Sequence, residues 1–208
     1  LDPCATKLQP LLHMSRIQVW FTLGALVIIA TLRAATTPSS SAGFVTAPPA
    51  AWVESAELPP AGLPRDNPSG QDFLLLDRQT RVSTEESYFR RAYQIVSEAG
   101  RQHGAQVTIS FDPSYQSLTL HHLRLVRDGE VLDRLDPSKI QILQQERDLD
   151  RQLYNGERSA FAILDDVRIG DVVDLAFTVR GTNPVFGDRF IDSVGFGWGV
   201  PVRDLRYR

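Results

Sequence analysis

Covalent catalysis by cysteine needs a thiolate beside a base, and the only cysteine among the 208 residues is Cys4, upstream of a hydrophobic run. No thiol is therefore available to anything that folds after it. A serine nucleophile on a sharp turn would read G-x-S-x-G; that pattern is missing, and His103, His121 and His122 fall in or beside strand-like segments. The adjacent pair His121-His122 invites a metal. Neighbouring strand residues point to opposite faces, however, so both rings could grip one ion only across a bulge, and surface or cross-strand roles fit better. Asp165, Asp166, Asp171 and Asp174 form the densest acidic group. Calcium takes several oxygens presented by one loop, and this spacing matches no EF-hand, so Gly170-Asp171 reads as turn chemistry that feeds a strand. Glu146, Asp148 and Asp150 alternate with Arg147 and Arg151, the pattern of a solvated face. The reading assigns no catalytic residue, no metal and no cofactor.

The tail Gly195-Phe196-Gly197-Trp198-Gly199 is the remaining candidate. G-x-G cradles phosphate when it opens a helix after a strand, but Val200-Pro201-Val202 follows here and no helix is expected. A loop is the expectation, with Phe196 and Trp198 offering a surface for a glycan or protein contact.

The elements that would carry these residues are mostly strands. Val107, Ile109 and Phe111 alternate with Thr108 and Ser110, and Val173, Leu175, Phe177 and Val179 with Asp174, Ala176 and Thr178. Residues 118–126 form another strand, and Asp128-Gly129 after it suits a tight hairpin that needs positive φ. Phe89, Tyr93 and Ile95 share one face of residues 87–97, with Arg90 and Gln94 on the other. Residues 73–76 and 160–163 supply shorter runs, and residues 138–153 read as a strand followed by a short helix. Several short strands with turns about every ten residues predict an all-β fold, an antiparallel β-sandwich over residues 72–208, with an open barrel as the second choice.

Residues 19–32 read VWFTLGALVIIATL, fourteen residues without charge between Arg16 and Arg33. That length suits the core of an export signal better than a membrane span of roughly 20 residues. The alternative left open is an uncleaved helix at residues 17–32 that anchors the protein in the inner membrane. Residues 1–42 are thus read as extension and signal or anchor, with Ser40-Ser41-Ala42 offering a cleavage site, and the location as periplasm or cell envelope. Residues 43–71, rich in Pro, Ala and Ser, read as a flexible linker. A net charge of −3 with only Lys7 and Lys139 as lysines argues against nucleic acid, whose binders show a basic stripe.

Five local patterns occur in one order: Phe111-Asp112-Pro113-Ser114-Tyr115-Gln116, Arg127-Asp128-Gly129, Tyr154-Asn155-Gly156, Asp166-Val167-Arg168-Ile169-Gly170-Asp171-Val172-Val173, and Gly181-Thr182-Asn183-Pro184-Val185-Phe186. Together they resemble a bacterial domain of unknown function, of the DUF3857 type, that precedes a transglutaminase-like core in exported proteins. The resemblance spans about residues 72–208. It implies a β-sandwich module without catalytic residues of its own, whose partner is a transglutaminase-like domain working through Cys, His and Asp. No cysteine here can be matched to that core, so no catalytic residue carries over. The expected function is a non-catalytic module that scaffolds an enzyme domain or positions its substrate; the alternatives are a stand-alone binder of envelope glycan or peptide, and a complete enzyme.

Met14 lies just before Ser15-Arg16, where an export signal would begin, and residues 1–13 are expected to be foreign to the natural product. Mass spectrometry of the natural protein should then recover no peptide containing Cys4; recovery of one would overturn this expectation.

Overall fold

In the computed structural model, described here for residues 43–62, 67–144, 156–187, 189–195, 197 and 199–208, the two-residue alternation of the sequence becomes strands that bury one face. Val107, Ile109 and Phe111 are buried along a strand of residues Gln106–Phe111, and Leu118, Leu120, Leu123 and Leu125 along Ser117–Arg127. In chain order the elements are β1 (Val45–Thr46), β2 (Gln71–Arg81), β3 (Glu86–Ile95), α1 (Glu98–Gly104), β4 (Gln106–Phe111), β5 (Ser117–Arg127), β6 (Glu130–Asp133), β7 (Gln141–Gln144), β8 (Arg158–Ile163), β9 (Val172–Arg180) and β10 (Val202–Tyr207). A seven-stranded sheet runs β1-β5-β9-β3-β2-β10, with β6 pairing β5, and a three-stranded sheet runs β4-β8-β7. Side chains of both sheets share one core, in which Val107, Ile109, Ala160 and Ala162 meet Leu120, Leu123, Val173 and Leu175. The described residues all belong to the compact unit Thr36–Arg208.

The all-β expectation holds at this level, but the large sheet is mixed. β1 pairs with β5 and β10 with β2 in parallel. A hairpin can make only antiparallel neighbours, whereas both of these outer strands arrive by long connections, which permit either direction. The Asp128-Gly129 turn does have positive φ at both positions, 51° and 84°, and joins β5 to β6. Helix α1 was not foreseen because Glu-Ala-Gly-Arg-Gln-His-Gly carries no apolar stripe. It rests instead on its start, where the Ser97 hydroxyl accepts from the Gly100 amide. The strand expected within residues 138–153 is β7; the short helix expected after it lies outside the described residues. So does the apolar run 19–32, and among the described residues no helix is long and apolar enough to cross a membrane.

The expected flexible linker is overturned over residues 43–62, which pack on the large sheet. Phe44 is buried at 4% exposure in the shared core, and β1 follows it directly. Beyond β1 the chain straps the outer face of the sheet, the face turned away from the small sheet. Proline-rich backbone cannot join a ladder, but its free carbonyls accept from side chains on the sheet. Gln79 and the Glu54 backbone exchange two bonds of 2.8 Å, Arg90 Nη1 reaches Ala56 O at 2.6 Å, and Trp52 Nε1 donates to Glu86 Oε2 at 2.9 Å. Composition signals a tether only while those partners, decades of residues away, are out of view.

Phe44→Ala is therefore expected to lower stability by about 3–5 kcal/mol, the range for truncating a buried Phe. A true tether would tolerate it within about 0.5 kcal/mol. Urea denaturation of the two proteins decides between these values.

Candidate functional site

The residues singled out by type do not converge. Phe196 and Trp198 lie outside the described residues, as do Glu146, Asp148 and Asp150. Strand β5 does carry an irregularity between Leu120 and His122, the bulge that a shared ion would have required, and it turns both histidines to the outer face. Each ring nevertheless has its own partners. His121 sits 2.7 Å from Ala47 O and 2.7 Å from Thr178 Oγ1, while His122 Nε2 lies 3.1 Å from Asp174 Oδ1, near enough to pair in charge though poorly aligned as a hydrogen bond. The four aspartates divide among cations: Asp165 pairs with Lys139, Asp166 and Asp171 with Arg127, and Asp174 with Arg90. Among the described residues no three His, Cys, Asp or Glu side chains are placed to hold a metal.

Where they fall on described residues, several of the patterns that carried the family resemblance have structural roles; Tyr154 and Asn155 lie outside the described residues. Arg127 grips both carboxylate oxygens of Asp171 at 2.8 Å, and the same carboxylate accepts from the Arg168 amide at 2.8 Å, which locks the turn before β9 onto β5. The Asp112 carboxylate accepts from the Ser114 amide and hydroxyl. Gly181, with φ at 112°, would press any Cβ to within 2.0 Å of Tyr115 O.

Asp174 is the most deeply held of these acids. Burial alone would raise its pKa, but His122 and Arg90 beside it outweigh that and hold the carboxyl down at about 2. Arg90 donates to both of its oxygens, at 2.8 and 2.9 Å. Asp174 and His122 are largely buried here, and Arg90 is also bonded to the Ala56 carbonyl of the strap.

The opening lies on the inner face. The small sheet shares its core with β5, β9 and the Tyr93 and Ile95 end of β3, and it ends at β4, so Arg78 of β2, Phe89 and Arg91 of β3 and Tyr207 of β10 lie outside that core. Two contiguous cavities, of about 380 and 280 Å³, occupy the uncovered strip, and Arg78, Phe89, Arg91 and Phe177 line both. That size falls within the range of ligand sites. Phe89 and Phe177 stack with centroids 5.1 Å apart, and the Arg78 guanidinium lies 5.0 Å from the Phe89 ring and 5.5 Å from that of Tyr207. Arg78 is tied to Asp192 at 2.9 Å. Arg91 is tied to no carboxylate among the described residues; its Nη2 donates to Thr108 O on β4 at 3.2 Å, and its buried Nε has no partner. Burial pulls this guanidinium below its ordinary pKa. Among the described residues the lining joins aromatic rings to arginines, and the unpaired charge of Arg91 suits an anion. A smaller cavity of about 190 Å³ beside β8 carries Lys139 and Asp165, which neutralise each other.

Sequence reasoning passed over Arg91, although the signal was present. Phe89, Tyr93 and Ile95 point inward at two-residue spacing, and Arg91 occupies the inward position between them; a cation on the core side of a strand is the mark that was missed.

The fold and groove define a two-sheet, mostly-β module with one open inner strip. Residues 82–208 match the family described as "Domain of Unknown Function with solved-structure structure (DUF3857)", and the chain belongs to it. The match begins in the turn before β3, so the strap and β2 precede it. A crystal structure from Parabacteroides distasonis ATCC 8503, provisionally described as a protease, is similar at 12% identity and a TM-score of 0.47 over 55% of this chain and 23% of that one. This chain thus matches less than a quarter of that protein's length. No functionally curated protein matches the sequence.

Removing Asp174 leaves Arg90 buried without its counter-charge, so Asp174→Ala is expected to cost about 3–5 kcal/mol. Because the folded pKa, about 2, lies below the ordinary value, its contribution is complete above roughly pH 4 and fades as the pH falls towards 2. Denaturation curves across that window should slope less in Asp174→Asn than in the natural protein.

Proposed function

We propose that this chain is a non-catalytic, exported β-sandwich module that positions a substrate or partner for an enzyme domain, and that it does so through the groove between β4 and the β2–β3–β10 part of the large sheet. The observation that carries the reading is that groove: an aromatic floor with two arginines, left uncovered by the shorter sheet. An apolar trough with a few directed polar groups is how proteins hold extended or drug-sized ligands. Export draws support from the charge-free run at residues 19–32, and a transglutaminase-like enzyme as partner domain from the resemblance described above. Exposed Tyr207 and Leu205 at the groove's rim also suit a sugar ring, which keeps a stand-alone glycan- or peptide-binding module as the second reading.

Incubated with arrays of peptides and of envelope glycans, the 208-residue chain should retain ligands, and Tyr207→Ala should weaken their binding by about tenfold, the loss of one aromatic contact. Binding unaffected by Tyr207→Ala together with Phe89→Ala would remove the groove from the reading. Retention of glycans alone would favour the second reading, and turnover of amide substrates by the chain would overthrow the non-catalytic assignment.

A further inference from the structure

Among the half-buried arginines on the strands of the large sheet, Arg91 is the odd member. Arg90, Arg127 and Arg78 each end on a carboxylate, at 2.8 to 2.9 Å. Among the described residues Arg91 has a single backbone carbonyl at 3.2 Å, and its buried Nε has no hydrogen-bond partner. A guanidinium is planar, always charged, and shaped to grip a carboxylate with two parallel bonds. Keeping one in a groove with aromatic walls and no counter-charge works against the fold, and groups left in that condition cluster at sites where a ligand completes them.

The second observation is the strand beside it. β4 pairs only with β8 among the described strands and closes the small sheet on the groove side. The Thr108 carbonyl points away from β8, to Arg91. In an antiparallel ladder the N–H and C=O of one residue point to the same side, so Thr108 presents a donor and an acceptor together along the groove. An edge of that kind is a template for an added strand. Beneath it lie Phe89, Phe177 and Val179, apolar ground for the inward side chains of such a strand.

We propose that the groove takes an extended acidic peptide as an additional strand on β4, with a Glu or Asp side chain of that peptide seated on Arg91. The proposal rests on the binding-module reading and deepens it: the ligand is a peptide, its backbone pairs with Thr108, and its negative charge is what Arg91 lacks. Charge complementarity selects this occupant, since the cavity beside β4 is lined by no carboxylate and, with Arg78 paired to Asp192, Arg91 is the cation there that lacks a counter-charge among the described residues.

The test is fluorescence anisotropy with the full chain and labelled peptides about eight residues long that alternate valine and threonine around one central glutamate, beside copies carrying glutamine there. The glutamate peptides should bind about tenfold more tightly. Arg91→Met should erase that preference while raising the melting temperature by about 2–4 °C, because it removes an unpaired buried charge. Arg91→Lys should restore part of the preference, having the charge without the fork. Methylating a backbone nitrogen that faces β4 should weaken binding, and methylating its neighbour should not. Equal binding of the two peptides, or an unchanged preference in Arg91→Met, overturns the anion site; if those peptides still depend on Tyr207, the module reading survives it. No binding by any peptide, or displacement of all of them by an oligomer of uronic acid, overturns the peptide assignment itself.

Discussion

The inner face of the large sheet is wider than the sheet that packs against it, and the rest of the molecule is arranged around that mismatch. At about 4.8 Å per strand, the six strands from β1 to β10 span roughly 24 Å and the three from β4 to β7 roughly 10 Å. Apolar residues concentrate where the two sheets overlap, as Leu118, Leu120, Leu123 and Leu125 on β5 and Val173 and Leu175 on β9 show. Where the overlap ends, the inward positions change character. Along β3, Tyr93 and Ile95 lie in the core, and the same face continues through Arg91 and Phe89 into the groove. The open strip is a product of strand count before it is a product of any single side chain.

The outer face meets the opposite problem and solves it differently. Asp77, Gln79 and Asp174 are buried there, where polar groups need partners, and most of their atoms find one. The answer comes from a segment with almost no regular structure. The carbonyls of Ala47, Glu54 and Ala56 accept from His121, Gln79 and Arg90, so sheet and strap satisfy each other. Burial lowers the pKa of His121 and so disfavours its charged form, although its hydrogen bond to Ala47 O works the other way. Polar side chains on this face mostly bind the strap or one another, with Asp77 Oδ1 and His122 Nε2 left without a hydrogen bond, whereas on the inner strip it is arginine Nε atoms, of Arg78 and Arg91, that lack one.

That contrast separates residues that carried the family resemblance from residues that line the groove. Asp112, Arg127, Asp171 and Gly181 build turns and braces: a bidentate pair that locks the approach to β9, a close approach of backbone at Gly181. Such roles demand one residue type at one place, so they are legible as patterns. Arg78, Arg91, Phe89 and Phe177 ask only for an aromatic or cationic side chain on the right face, and no short pattern marks them.

Local sequence was enough to determine several strands and one turn, because alternation and positive φ are properties of neighbouring residues: β4, β5 and β9 and the Asp128-Gly129 hairpin follow from them directly, whereas β1 and β10 were not expected as strands. The resemblance carried by the turn residues likewise reached the family from sequence alone. Only the tertiary structure decided that residues 43–62 are part of the domain, that β1 and β10 join in parallel, and that Arg91 opens onto a groove instead of closing on an acid. Each of these depends on partners far along the chain, and the spacing of residues within a strand says which face a side chain takes without saying what, if anything, covers that face.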